Sequence, residues 1–147
     1  MRVIGFSEEW AKLQLDVTQT VRFPRADDDW QVGETVQVVL KPRGPTRRPL
    51  GLAIITTKDL LWVVTRAEEP LLHPGIRNNP LWDTVPFVTE LQARRDGFED
   101  VAAMVAWFTE THGDRRFMEP ANVLELQWLH RVGQPASVFL GWPETTS

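Results

Sequence analysis

The chain has no cysteine among its 147 residues. Disulfide bonds, zinc sites built on thiolates and cysteine nucleophiles are therefore excluded, and the composition is typical of a reducing compartment. Long apolar runs are also missing: the longest, from Leu60 to Val64, is far shorter than the about 20 residues of a membrane-spanning helix. No signal-peptide pattern is present, because Ser7, Glu8 and Glu9 follow a short apolar run. We therefore expect a cytoplasmic protein without membrane contact.

The chain also lacks a strong excess of positive charge. The formal net charge is -4 and the pI is near 5.4, whereas proteins that wrap duplex DNA non-specifically are usually basic. Any contact with nucleic acid must then come from a local patch. The densest run of positively charged residues contains Lys41, Arg43, Arg47 and Arg48. With its prolines and glycine it predicts a loop, which either meets an RNA backbone or is simply solvated.

Metal-binding patterns are absent. The histidines, His73, His112 and His130, are scattered and no pair has the i, i+4 spacing of a helical metal site. We therefore expect neither a metal nor another cofactor.

The length predicts one domain, residues 1–147, in which residues 131–147 form a C-terminal extension that can fray. Hydrophobic patterns predict helices at 7–13, 89–95 and 99–112, and strands at 2–6, 17–23, 35–41, 50–57, 60–65, 123–129 and 136–142. A turn or bulge is expected at Lys58 and Asp59. Strands outnumber helices and do not alternate with them, which favours an α+β, mainly β fold: a small barrel with short helices at its ends. The long irregular segment from Arg66 to Pro86 indicates either function or flexibility.

The segment from Thr18 to Arg25 is the best candidate for a functional cleft. Residues 17–23 alternate as in a strand, so Thr18, Thr20 and Arg22 share one face. Two hydroxyl groups and a guanidinium suit a phosphate or a base edge. Alternatively, Arg22 pairs with an acid such as Asp96 and stabilises the fold.

Two segments then resemble a known family. The stretch from Leu15 to Arg22 resembles the Gly-x-Lys-x-x-Thr-x-Arg element of the ASCH family, within the PUA-like β-barrel superfamily. The stretch from Thr89 to Phe98, with the residues up to Gly113, is similar to the acidic-Gly-Phe turn and following helix of that family. The resemblance covers most of residues 1–130 and implies a PUA-like barrel.

The resemblance has clear departures. Thr20 and Arg22 match the motif, but Leu15 and Val17 stand at its glycine and lysine positions. In relatives that hydrolyse acylated cytidines, the lysine acts with the threonine and an acid. The resemblance therefore implies Thr20 and Asp96 as catalytic residues if the chain is an enzyme. The missing base would be Asp96, Lys58 or Lys12.

Three functions stay open at this point. The leading interpretation is a domain that binds RNA, a nucleotide or a modified base in a cleft of Thr18, Thr20, Arg22, Arg25, Lys58 and Asp96. Nucleic-acid contacts would come from Lys41, Arg43, Arg47, Arg48, Trp30 and Trp82, since loop aromatics either stack on bases or pack over a barrel mouth. The alternatives are a hydrolase of N4-acylcytidines or a ribonuclease, and a protein-interaction or regulatory domain. A monomer and a homodimer are equally compatible with the sequence, and it names no protein partner.

Overall fold

The computed structural model describes residues 1–8, 10–71 and 78–132. The described part of the chain contains five strands: β1 (Arg2–Phe6), β2 (Val17–Arg22), β3 (Thr35–Leu40), β4 (Arg48–Leu61) and β5 (Ala121–Arg131). A mainly β protein with a few short helices is therefore confirmed. The predicted strand at 136–142 lies outside the described residues.

The five strands form one mixed sheet in the order β1-β3-β4-β5-β2. Strand β1 runs parallel to β3, and the other neighbours are antiparallel. Strands β1 and β2 are thus the two edges. The predicted closed barrel is wrong, because among the described residues these two edges do not pair and the sheet stays open between them.

Strand β4 spans 14 residues and replaces two predicted strands. No turn forms at Lys58 and Asp59; both pair with β5, opposite Leu124 and Val123. The irregularities instead lie between Leu52 and Ala53 and between Ile55 and Thr57. Such bulges increase the local twist of a strand, and here they let one long strand follow the curvature of the sheet.

The two longer helices form close to their predicted positions. Helix α1 (Glu90–Arg95) begins at a capping box in which Thr89 and Gln92 bond each other's backbone N–H groups. Helix α2 (Val101–His112) begins at Asp100, whose side chain accepts from Ala103 N–H. A single turn, α3 (Arg115–Met118), follows. The predicted helix at 7–13 is wrong: only a short 3-10 helix, Ala11–Gln14, forms there.

Two apolar layers cover the two faces of the sheet. One covers one face with residues from β1, β3, β4 and β5, among them Ile4, Val38, Ile55 and Leu124. The other lies between β2, β5 and the helices, with Val21, Phe23, Met104 and Phe108 at its centre. The helices therefore pack beside edge strand β2 and bring their residues next to the open edge of the sheet.

Two described features lie in the segment that follows β4. A 3-10 helix spans Arg66–Leu71, and Trp62 forms a parallel bridge to Phe87. Residues 72–77, with His73, lie outside the described part of the chain. No described helix is long and apolar enough to cross a membrane.

Candidate functional site

A cavity of about 670 Å³ opens where the two edges of the sheet face each other. Its lining comes from the ends of β1 and β2, the 3-10 helix, the end of α1, one face of α2 and the loop after β3. That volume lies within the range of about 300–1,000 Å³ typical of small-molecule sites. The pocket therefore occupies the gap between β1 and β2, which exists because the described sheet does not close into a barrel.

The polar end of the pocket holds a buried ion pair. Lys12 Nζ lies 3.2 Å from Asp96 Oδ1, and both side chains are about 6% exposed. The same Oδ1 accepts the backbone N–H of Val21 at 2.9 Å, an edge group of β2 that the sheet leaves unpaired. Asp96 follows the last residue of α1, so the end of this helix is bound directly to the edge strand.

Arg22 bridges the two edges of the sheet. Its Nε donates to Thr20 Oγ1 at 3.2 Å, and its Nη2 donates to the carbonyl of Gly5 on β1. The guanidinium also lies 4.8 Å above the ring of Phe6. Among the described residues, no carboxylate oxygen forms a salt bridge with Arg22. The guanidinium therefore reaches the pocket with its charge uncompensated by direct contact.

Burial shifts the pKa values of all three charged groups. Desolvation lowers the pKa of Arg22 to about 10, against the opposing charge of Asp96. Desolvation likewise lowers the pKa of Lys12 and raises that of Asp96, although each partner's charge opposes the shift of the other. Each shift disfavours the charged form of its group. A ligand that adds an opposite charge or a hydrogen bond would therefore stabilise the charged forms at this end of the pocket.

The walls of the pocket are aromatic. Phe98 packs edge-on against Trp10, with ring centroids 5.2 Å apart, and tilts toward Trp107 at 5.9 Å. Trp10 is seated on Gly97, where a side-chain carbon would come within 2.9 Å of the indole. Lys12 Nζ lies 5.4 Å from the ring of Phe6 and 5.8 Å from that of Trp10. The walls can therefore hold a planar apolar group beside cations.

The mouth of the pocket is positively charged. Lys41 and Arg43 reach it from the mouth loop (residues 41–46), and Arg115 reaches it from the start of α3. His112 lines the same opening, and its pKa is lowered by desolvation and by the nearby charges of Arg115 and Arg22. With Lys12 and Arg22, five basic side chains line the pocket, against Asp96 as the one acidic side chain among the described lining residues.

Three residues predicted in the cleft lie elsewhere. Thr18 is 1% exposed, is not part of the pocket lining, and its hydroxyl has no hydrogen-bond partner within the described chain. Arg25 pairs with Asp27 at 3.3 Å on the exposed surface. Lys58 pairs with Asp29 at 3.0 Å. The structure therefore brings together Thr20, Arg22 and Asp96 from the predicted cleft set, and adds Lys12.

The predicted nucleic-acid contacts also separate. Trp30 is 4% exposed in the core, with Arg2 and Arg25 against its ring, so little of the ring remains for a base. Trp82 packs on Trp62 and Phe87. Arg47 stays outside the pocket, and Arg48 lines a second, smaller cavity of about 330 Å³. Of this set, Lys41 and Arg43 lie at the main pocket.

Several residues that line the pocket were not predicted from the sequence. The signal was present in α2, where Trp107 and Thr111, and likewise Phe108 and His112, lie four residues apart on one face of the helix. The position of His112 at a helix end is enough to explain a histidine there. Whether this face of α2 lines a pocket therefore depends on which residues pack opposite it, and the local sequence does not show that.

No protein-family model, no curated protein and no solved structure matches this chain. The ASCH resemblance therefore stays a prediction that depends on two short segments. Within the described ranges, no group of three histidine, aspartate or glutamate side chains is arranged to hold a metal ion.

Proposed function

We propose that the protein binds a nucleotide or a modified base in the pocket between β1 and β2. The observation that carries this proposal is Arg22, a partly buried guanidinium that faces the pocket and has no carboxylate partner within the described chain. Buried charges are normally paired. An anionic or strongly accepting ligand would supply the missing partner, and the fork of an arginine suits a phosphate or a base edge.

The charge of the pocket supports an anionic ligand. Its lining is strongly basic, although the chain as a whole is acidic. A local excess of one charge sign, enclosed by low-dielectric walls, concentrates ligands of the opposite sign. The aromatic walls formed by Trp10, Phe98 and Trp107 add a surface on which a base can stack. A nucleotide combines both properties in one molecule of suitable size.

Titration calorimetry with Arg22→Gln tests this function. We expect the wild type to bind members of a panel of ribonucleosides, their monophosphates and short RNAs. The variant should bind about 10- to 100-fold more weakly, the effect of losing a desolvated charge-assisted hydrogen bond. Arg25→Gln is the matched control, because Arg25 belongs to an exposed ion pair outside the pocket. Near-UV circular dichroism of the tryptophans verifies the fold. Equal affinities of the wild type and Arg22→Gln would contradict the proposal.

A second candidate is hydrolysis of an N4-acylcytidine, and Lys12 is the observation that favours it. The motif lysine is missing from β2, but Lys12 enters the same pocket from the 3-10 helix and bonds Asp96. Thr20 lines this pocket too, and its oxygen accepts from Arg22, which leaves its own proton free to donate. A lysine, a threonine and an acid thus converge from positions that the motif alone does not predict.

The chemistry of this candidate is amide hydrolysis. Lys12 in its neutral form, which desolvation favours, would take a proton from water or from the Thr20 hydroxyl. The activated oxygen would add to the acyl carbon, while Arg22 stabilises the developing oxyanion. The carbon–N4 bond would then break, and N4 would take up the proton to give cytidine. With Thr20 as nucleophile, water releases the acid from the acyl-threonine in a second step.

Turnover of N4-acetylcytidine, followed by its absorbance change, tests the enzyme candidate. We expect Thr20→Val and Lys12→Met each to reduce kcat/KM by at least 100-fold, since each removes a group from the reacting centre. Lys58→Met is the control lysine variant, because Lys58 lies outside the pocket on Asp29. Thr20→Val conserves volume and keeps the test valid should Lys12→Met fail to fold. Binding without turnover in the wild type would leave the binding function and eliminate the hydrolase.

A further inference from the structure

Two cations of the mouth loop have no partner in the described protein. Lys41 and Arg43 line the pocket, and within the described ranges their side chains form no salt bridge or hydrogen bond. The other three cations that line the pocket each have a partner in the described chain. Among the cations of the described lining, those without a partner therefore lie together on the mouth loop.

The mouth loop is held in place at its base. Lys41 N–H donates to the Phe6 carbonyl at 2.7 Å, and Gly44 N–H donates to the Lys41 carbonyl at 3.0 Å. Pro42 packs so closely on Gly5 that a side-chain carbon there would come within 2.4 Å of the proline ring. Lys41 has a φ of 49°, a conformation that non-glycine residues adopt rarely and that is enriched at functional sites. The two cations are thus presented by a fixed loop.

The inner end and the mouth of the pocket offer a ligand different kinds of contact. The inner end offers Lys12, Asp96, Thr20 and Arg22, a mixture of donors and acceptors suited to the polar edge of a base. The mouth offers only donors on the loop, and Lys41 and Arg43 have no acidic neighbour in the described lining apart from the buried Asp96. A ligand with its base at the inner end directs its other end toward these two cations.

We propose that the ligand is a nucleoside monophosphate whose phosphate lies at the mouth loop and is bound by Lys41 and Arg43. This inference depends on the nucleotide-binding function proposed above and adds the substrate class and the direction of binding. The phosphate is a specificity determinant: the inner end selects the base, and the mouth loop selects the phosphorylated form over the free nucleoside.

The test compares the four ribonucleosides with their 5′-monophosphates by titration calorimetry on the full chain. Monophosphates should bind the wild type at least about tenfold more tightly than the matching nucleosides. Arg43→Gln should weaken monophosphate binding by roughly tenfold, the effect of one charge-assisted hydrogen bond, and weaken nucleoside binding much less. Arg47→Gln is the matched control, because Arg47 belongs to the same basic run, lies outside the pocket lining and donates by its side chain to the Pro42 carbonyl.

The outcomes separate the two proposals. If nucleosides bind and monophosphates bind no more tightly, the phosphate inference is overturned while the binding function stands. An equal loss in Arg43→Gln and Arg47→Gln also overturns it, because the effect would then be general surface charge. If an RNA oligomer binds and no monophosphate does, the ligand is a polynucleotide and the inference is wrong. Absence of binding across the whole panel removes the proposed function and this inference with it.

Discussion

At the scale of single residues, the shape of the candidate site depends on close contacts that leave no room for an additional side chain. Gly97 follows Asp96, has a φ of 107° and supports the indole of Trp10. A residue with a side chain would be strained by this backbone and would also displace Trp10 from the pocket wall. The acidic-Gly-Phe sequence is therefore explained by geometry: glycine allows the turn that brings Asp96 to Lys12 and Phe98 to Trp10.

Gly97→Ala should accordingly destabilise the protein by about 3 kcal/mol, the sum of a left-handed alanine and an overpacked contact. Gly33→Ala is the matched control, because Gly33 also has a positive φ, 89°, but no atom lies near the position of its missing side chain. That control should cost only about 1 kcal/mol. Urea unfolding measures both values. Equal losses would mean that the contact with Trp10 contributes nothing.

Residue patterns gave part of the site and missed part for physical reasons. Alternation in β2 correctly placed Thr20 and Arg22 on one face, and the capped helix correctly ended beside Asp96. Lys12 was named only as one of several candidate bases, since its partner Asp96 lies 84 residues away in the sequence. A local pattern carries no information on such a long-range pair. Thr18 obeys the same alternation yet is buried outside the pocket.

At the scale of the elements, the short turn α3 is anchored by one ion pair. Arg116 is 5% exposed and donates to both carboxylate oxygens of Glu68 and to the Val63 carbonyl. It thereby fixes α3 to the segment that follows β4. The neighbouring residue Arg115 lines the mouth of the pocket. The anchor at Arg116 therefore also positions one side of the site.

Glu68→Gln should destabilise the protein by about 3 kcal/mol at neutral pH, because it leaves the Arg116 charge buried without its partner. Desolvation raises the pKa of Glu68, but its hydrogen bonds with Arg116 and Thr65 outweigh this and leave the pKa lowered. A lowered carboxyl pKa stabilises the fold above the ordinary value of 4.5, and that stabilisation is lost as the pH falls through the folded-state pKa. The difference between the wild type and Glu68→Gln should therefore shrink in acid.

Glu119→Gln serves as the control on the same element. Glu119 pairs with Arg115 across one exposed helical turn, where such pairs contribute about 0.5 kcal/mol or less. Chemical unfolding at several pH values distinguishes the two variants. A pH-independent difference for Glu68→Gln would show that the carboxylate charge is not what anchors α3.

At the scale of the whole molecule, the sequence indicated the class of fold but not its closure. Alternating patterns identified the strands, since residues 35–41 and 17–23 show them clearly. Whether the two edges of the sheet pair is decided by long-range packing. Here Arg22 and the pocket occupy the gap that a final row of backbone hydrogen bonds would have filled. The parallel placement of β1 beside β3 was likewise beyond local signals.

The position of β2 in the sheet also sets the moment at which the site can exist during synthesis. Strand β2 pairs with β5 alone in the described sheet, with Thr20 opposite Leu124 and Arg22 opposite Asn122. A nascent chain makes β2 early and must wait about a hundred residues for that partner, so this long-range closure comes late. Until β5 has left the ribosome, the strand that carries Thr20 and Arg22 has no partner in the described sheet. The pocket beside β2 therefore cannot form before β5 has been synthesised.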